Sequence, residues 1–314
     1  MVIQNLKRSI KIKLFSHVDL DGVSPYILLK YFYPTAIVDY TFCNYNEINE
    51  KVQEFFDEKF YEEYDEIYIV DISIDETLAN KIENKKKQSN IMIHLFDHHP
   101  TALNLNKYSF CQVMTEKNNE LICGTKLFYE YLINEKNFEE KDFISRYVKY
   151  VNDYDTWLWA NKYKYDLPNQ WNTLFSFYGK LNFVENVLNK FKNNTTKFNE
   201  TDLLILDAED HKKKIYIQNK LKDVYERKIQ DKNCVIVFAE LYINDLATEM
   251  KNKYPKSEIQ IIIGQKGISY RSRNDVNINL GEFAKVYGGG GHEKAAGSHI
   301  SREIREKMID VIFN

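Results

Sequence analysis

The sequence predicts an α/β protein in two parts. A larger unit is expected to carry a mostly parallel sheet, and a smaller α/β unit to follow it, with the active-site cleft between them. Three observations predict this. Short strand-like runs at 11–15, 36–42, 66–71 and 91–96 alternate with helical patterns, the order that gives right-handed crossovers and parallel pairing. Several of these runs end on acidic residues or histidines, at the strand ends where open parallel sheets keep their chemistry. A long charged stretch over 199–230 then precedes a second alternation of strand and helix patterns that begins at Cys234. The expected boundaries are therefore 1–192 for the first domain, 193–230 for a helical connector and 231–314 for the second domain.

In order, the strand over 11–15 is followed by Ser16-His17-Val18-Asp19-Leu20-Asp21-Gly22 and a helix over 23–33, stopped by Pro34. A strand over 36–42 precedes an acidic amphipathic helix over 47–62. The strand over 66–71 ends on the carboxylate of Asp71, and 77–87 is helical. Ile91-Met92-Ile93-His94-Leu95-Phe96 has the continuous apolar character of a strand buried on both faces, and leads into Asp97-His98-His99 before Pro100 ends the pairing. The segment 120–149 is helical and delivers Asp153 and Asp155, read as a further strand end. Residues 163–192 form a helical elaboration, Asn193-Asn194-Thr195-Thr196 a break, and 199–230 one long helix suited to a hinge. Beyond it come a strand at 234–238, a helix at 244–253, and a hairpin of 259–263 with 267–273. A short helix near 280–286 leads to four glycines and His292.

A formal net charge of −3 argues against a protein that coats long nucleic acid by bulk electrostatics, and leaves room for a small phosphorylated substrate held by local basic groups. The four cysteines, Cys43, Cys111, Cys123 and Cys234, are scattered without a Cys-x-x-Cys pair, as reduced core thiols of a cytoplasmic protein would be. The start at Met1-Val2-Ile3-Gln4-Asn5 lacks a signal-peptide pattern, and no apolar run approaches a membrane span.

Strand ends thus supply His17, Asp19 and Asp21; Asp71; Asp97, His98 and His99; and Asp153 with Asp155. Carboxylates gathered at one sheet edge repel unless cations neutralise them. Mixed imidazole and carboxylate donors suit Mn²⁺ or Fe²⁺, less so Mg²⁺, with Zn²⁺ also compatible. An aspartate shared by two such ions gives the arrangement of two-metal phosphoester hydrolysis. A calcium loop at His17-x-Asp19-x-Asp21-Gly22 is excluded, because the later acidic positions of an EF-hand are missing. Singly, Asp71 would be a helix cap and His94 a packed strand residue; the acidic and histidine groups at several strand ends gain their meaning together.

His17-Val18-Asp19-Leu20-Asp21-Gly22, Val70-Asp71, Asp97-His98-His99 and Asn152-Asp153 resemble the four motifs of the DHH phosphoesterase superfamily. Gly288-Gly289-Gly290-Gly291-His292-Glu293-Lys294-Ala295-Ala296-Gly297 resembles the signature of the DHH-associated C-terminal domain. The resemblance implies two divalent metal ions, Mn²⁺ first among them. His17, Asp19 and Asp71 would hold one, and Asp21, Asp71, His98 and Asp153 the other. It implies that Asp97 orients His98, and that His99 acts on the scissile phosphate or the leaving group. Arg271 and Arg273, alternate residues of one expected strand, would grip a terminal phosphate together with Gly289, Gly290, Gly291 and His292. The compact His-x-Asp-x-Asp spacing departs from the wider spacing of many members and puts the place of His17 in question. The activity so implied is hydrolysis of short oligoribonucleotides to nucleoside 5′-monophosphates, with pAp as a further substrate and no membrane partner; a homodimer is compatible with it. The alternatives are a phosphodiesterase of cyclic dinucleotides (c-di-AMP or pApA) and, in another class, a catalytically silent nucleotide-binding module.

Overall fold

The computed structural model describes residues 8–89 and 91–313; the Met1–Asn5 start lies outside them. The chain divides into two compact units, Met1–Leu206 and Asp207–Asn314.

The first unit opens with β1 (Lys11–Ser16), α1 (Leu20–Phe32), β2 (Ile37–Phe42), α2 (Ile48–Asp57), β3 (Glu66–Val70), α3 (Glu76–Gln88), β4 (Ile93–Asp97) and β5 (Cys111–Val113). The five strands form one sheet in the order β2-β1-β3-β4-β5, and every pairing within it is parallel. Alternation along the strands feeds two cores, one on each face. Ile12, Leu14, Tyr68, Val70 and Phe96 face one cluster, while Phe15, Ile67, Ile69, Ile93 and Leu95 face the other. Burial on both faces is why the runs read as continuously apolar. The Ser16 hydroxyl donates to the Val70 carbonyl at 2.7 Å, tying the ends of β1 and β3 together.

A two-stranded ribbon, β6 (Glu116–Lys117) and β7 (Glu120–Leu121), precedes a helical layer of α4 (Gly124–Asn134), α5 (Asp142–Asp155), α6 (Leu167–Tyr178) and α7 (Lys180–Lys192). The sequence predicts helix from 120 to 149 and gives no sign of β5 or the ribbon, whose pairings span only two or three residues each. Asp153 and Asp155, expected at a strand end, lie instead in the last turn of α5.

The expected helix over 199–230 is shorter. Helix α8 covers Glu200–Lys220, and 225–229 is a strand, β8 (Tyr225–Ile229). A charged strand at a sheet edge carries no apolar pattern to distinguish it from a charged helix. The boundary between the two compact units, Leu206 to Asp207, falls within α8.

The second unit continues with β9 (Lys232–Phe238), α9 (Ile243–Lys253), β10 (Ile259–Ile263), β11 (Gly267–Ser272), α10 (Leu280–Lys285), β12 (Gly289–Gly291), β13 (Ala295–His299) and α11 (Arg302–Phe313). Its sheet runs β12-β13-β11-β10-β9-β8, with only the β9–β10 pair parallel. No helix among the described residues is long and apolar enough to cross a membrane. All four cysteines are free, and burial pushes the Cys43 thiol up to about 11 and Cys111 to about 12, which keeps them protonated.

One buried ion pair locks the helical layer. Asp202 is 0% and Lys190 6% exposed, and their side chains bond directly. The carboxylate also accepts from the Tyr178 hydroxyl at 3.0 Å, the Asn186 amide at 3.2 Å and the Asn199 backbone amide at 3.0 Å. Asp202→Ala strands a buried ammonium and should cost about 3–5 kcal/mol in urea unfolding. The double replacement Lys190→Met/Asp202→Leu should recover most of that loss; equal losses in the single and double variants would contradict this account.

Candidate metal centre

The centre is assembled at the carboxyl ends of β1, β3 and β4. His17 follows β1 directly. Asp19 caps α1, its Oδ1 accepting from the Gly22 backbone amide at 2.9 Å, and Asp21 sits in the first turn of that helix. The His-x-Asp-x-Asp spacing therefore spans a strand end, a helix cap and a helix turn. The chain crosses so tightly here that a Cβ on Gly22 would lie 2.3 Å from the His17 carbonyl oxygen.

Asp71 follows β3 with φ of 60°, a left-handed backbone that aspartate tolerates better than most residues. Its side chain lies between two groups of donors. Asp71 Oδ2 is 3.7 Å from His17 Nδ1, which is 2.9 Å from Asp19 Oδ2. Asp71 Oδ1 is 3.2 Å from His98 Nε2, which stands 3.4 Å from Asp155 Oδ2 and 3.8 Å from Asp21 Oδ2. The ligand atoms of His17, Asp19 and Asp71 all lie within 4.8 Å of one another, as do those of Asp21, His98 and Asp155.

The neighbouring helices hold this arrangement. Asp21 accepts from the Gly124 and Thr125 backbone amides at 2.8 and 2.9 Å, at the N-terminus of α4. Glycine is required at 124, since a Cβ there would come within 2.8 Å of the Asp71 Cα. Asn152 fixes the same turn by accepting from the Cys123 backbone amide at 2.9 Å.

Asp153 departs from its expected place among the ligands. Its carboxylate bonds the Lys149 ammonium and the Tyr165 hydroxyl, and it belongs to none of the clusters. Asp155, half a helical turn further on, takes the position facing His98. Two residues along a helix rotate a side chain by about 200°, so sequence alignment to the motif and the direction of the side chain part company here.

Asp97 also differs from expectation. Its Oδ1 accepts from His99 Nδ1 at 2.7 Å and from the His98 backbone amide at 2.7 Å, and the Ser73 hydroxyl bonds Oδ2. It therefore orients the ring of His99 and not that of His98. Although burial opposes it, the His99 and Ser73 hydrogen bonds hold Asp97 below the usual carboxylate range. The same bond to Asp97 raises the pKa of His99. The other ring nitrogen of His99, Nε2, lies 2.9 Å from the hydroxyl of Tyr45, whose ring also packs 4.8 Å from that of His17. Tyr45 was not singled out in the sequence, where it is one of 23 tyrosines in a loop without a motif. His94 is packed, as expected: it lies near the Phe96 and Tyr131 rings, and burial pushes its pKa down to about 4.

The donors fit divalent metal. Asp71 is 1% exposed, and its Oδ2 has no hydrogen-bond partner among the described residues. Burial, then the carboxylates of Asp21, Asp19 and Asp155, push its pKa well up. Such an oxygen, crowded by carboxylates and imidazoles, is satisfied by a cation.

In the second unit, Arg271 lies in β11 with its guanidinium on Asn244 Oδ1, at 3.0 and 3.2 Å. Arg273 falls just beyond that strand and is paired with Asp275, so the two arginines are not equivalent members of one strand face. Gly289, Gly290 and Gly291 form edge strand β12. The glycine at 291, with φ of 144°, is needed for close packing, since its Cβ would lie 2.6 Å from the Ala296 Cα. His292 donates its backbone amide to the Ala295 carbonyl at 2.8 Å and closes that turn.

Because the folded pKa of Asp71 is raised, its contribution to metal-free stability is full below the unfolded value, about 3.9, and is lost as pH rises through the folded value. Asp71→Asn should therefore raise the thermal midpoint of the EDTA-treated protein at neutral pH by a few degrees. It should also abolish most of the stabilisation that Mn²⁺ confers on the unsubstituted chain. A lowered midpoint with undiminished Mn²⁺ stabilisation would refute the shared role of Asp71.

Residues 235–313 match the DHHA1 domain. Over 305 residues the chain is 29% identical to oligoribonuclease NrnB of Bacillus subtilis (strain 168), covering 96% of this chain and 75% of that one. Among solved structures, the Vibrio pGpG-specific phosphodiesterase PggH superposes with a TM-score of 0.53 at 14% identity, over 97% of each chain. RecJ of Thermus thermophilus in complex with Mn²⁺ superposes with a TM-score of 0.52 at 12% identity, over 96% of this chain and 51% of that one. The second unit is thus a DHHA1 domain, and along almost its whole length the chain is similar to an oligoribonuclease, NrnB, and shares the α/β fold of PggH and RecJ.

Proposed function

We propose that this protein is a metal-dependent phosphodiesterase that hydrolyses short oligoribonucleotides to nucleoside 5′-monophosphates. The observation that carries the proposal is the pair of donor sets, His17 with Asp19 and His98 with Asp21 and Asp155, that meet on the two oxygens of Asp71. The end-to-end likeness to an oligoribonuclease supports the substrate class.

His17, Asp19 and Asp71 would hold one divalent ion, and Asp21, Asp71, His98 and Asp155 a second, with Mn²⁺ favoured by the mixed imidazole and carboxylate donors. Such ions, when bound, neutralise phosphate charge and lower the pKa of water. The remaining work belongs to the chain. Asp97 holds the Nδ1 side of His99 and leaves Nε2 on the hydroxyl of Tyr45. With its pKa raised, His99 keeps a proton near neutral pH more readily than a free imidazole, and can donate it to a phosphate oxygen or to the departing hydroxyl. Asp153 fastens α5 through Lys149 and Tyr165. We assign terminal-phosphate binding to Arg271, whose guanidinium has no acidic partner among the described residues, with His292 and the glycine strand lying beyond β13 in the sheet order.

The test is a product time course with Mn²⁺ on a 5′-labelled RNA pentamer, with c-di-AMP and pAp in parallel. The pentamer should be trimmed to mononucleotides. Asp155→Asn should lose more than about 100-fold in kcat/KM, beyond the 10–100-fold typical of supporting contacts, while Asp153→Asn stays within that supporting range. The reverse ranking would return the ligand role to Asp153, and cleavage of c-di-AMP alone would replace the substrate. Tyr45→Phe removes the hydroxyl on His99 and should lower kcat by about tenfold. It should also shift the limb of the pH–rate profile that reports His99; an unchanged profile would exclude Tyr45 from the reaction.

A further inference from the structure

The helix that presents Asp155 runs directly into an aromatic stack that the metal centre does not use. Trp157 lies two residues past Asp155, a chain distance of at most roughly 7 Å. A buried Trp157 would be a core anchor, yet it is 48% exposed. Its backbone has φ of 58°, a conformation that bulky side chains rarely adopt. Its amide donates to the Tyr154 carbonyl at 3.1 Å and its carbonyl accepts from the Asn161 amide at 3.0 Å, so the unusual backbone is held from both sides.

The indole of Trp157 lies nearly parallel to that of Trp159, with centroids 6.0 Å apart and planes at 25°. Trp159 is stacked in turn on Tyr154, at 6.3 Å and 15°. Trp159 also begins a single π-helical turn, Trp159–Tyr163, a distortion that tends to occur at functional sites. The Trp159 Nε1 is buried without a hydrogen-bond partner among the described residues, so ring contacts and not a polar bond hold this indole. The outcome is a half-exposed indole in line with two more rings, two residues past a group that faces the centre of the site. Exposed tryptophan and left-handed tryptophan are each unfavourable, and both occur in one residue; such features are kept where they hold a side chain for use.

We infer that Trp157, backed by Trp159, is a stacking platform for a nucleobase of the substrate, an inference that rests on the phosphodiesterase function proposed above. Any of the bases fits a bare indole face, so this contact would hold the nucleotide without selecting its sequence. A protein segment is a poorer occupant, because a stack this small falls far short of a stable interface.

Three tryptophans are present, and the third, Trp171, is fully buried and shielded from added nucleotide, so a change in emission reports on Trp157 and Trp159. Adenosine 5′-monophosphate, added to the full-length protein with Mn²⁺, should quench tryptophan emission, and Trp157→Gly should abolish most of the quenching. Glycine suits the left-handed backbone, so this variant should unfold at the same temperature or higher, which separates lost contact from lost structure. In turnover, the comparison is between 5′-phosphorylated diadenylate and an analogue lacking the second base. The ratio of their kcat/KM values should fall about five- to 100-fold in Trp157→Gly, through KM, and be largely restored in Trp157→Phe. An unchanged ratio in an enzyme that still cleaves diadenylate would overturn the platform and leave the phosphodiesterase proposal standing. Quenching by adenosine 5′-monophosphate without cleavage of any diester would do the opposite. Absence of both would overturn the two together.

Discussion

Three carboxylates and two imidazoles cannot be packed around one buried aspartate unless something compensates for the repulsion among the carboxylates. Asp71 is the centre of that constraint, with one oxygen turned to His17 and the other to His98. The surrounding fold serves to keep it there. β3 delivers it, the left-handed backbone turns it off the strand, and Gly124 lets α4 approach within contact of its backbone. The same approach brings two α4 amides onto Asp21. The centre is thus under electrostatic strain without cations, and the apolar cores on both faces of the sheet hold it in place.

Around Asp71 the polar groups divide into two kinds. His17, Asp19, Asp21, His98 and Asp155 have oxygen or nitrogen atoms directed at one another, and so at any cation between them. Asp97 has both oxygens engaged, by His98 and His99 on one side and Ser73 on the other, and so acts through the ring it holds. The chain Asp97, His99, Tyr45 has a hydrogen bond at each link and returns to the centre, where Tyr45 packs against His17. Neighbouring residues in one triplet thereby take different partners: the rings of His98 and His99 lie only 4.4 Å apart, yet one faces Asp71 and the other is held by Asp97.

In the second unit the glycine run has a packing explanation that stands by itself. β12 lies against β13 so closely that side chains at 289 and 291 would collide with it. Whatever phosphate-binding role the run has comes in addition to that. Arg271 and Arg273 show how much a strand end matters: Arg271 is held on Asn244 and Tyr270, and Arg273, one residue past β11, is drawn to Asp275.

The sequence by itself determined the alternating α/β order, the parallel sheet and the residues that end its strands. Apolar runs buried on two faces and polar residues directly after them are local patterns, and local patterns survive in one dimension. It also carried the superfamily resemblance, because the motifs are short and ordered. The tertiary structure alone decided which way each side chain points. Asp153 or Asp155 is a question of helix phase at the end of α5, set by Lys149 and Tyr165 from one side and His98 from the other. Asp97 serves His99 because of ring orientation, and Tyr45 joins them across 54 residues of chain. Charged β8, read as helix, needed β9 as its partner to be a strand at all. In each case the deciding contact comes from ring direction, helix phase or a partner strand, which no local pattern of apolar and polar residues records.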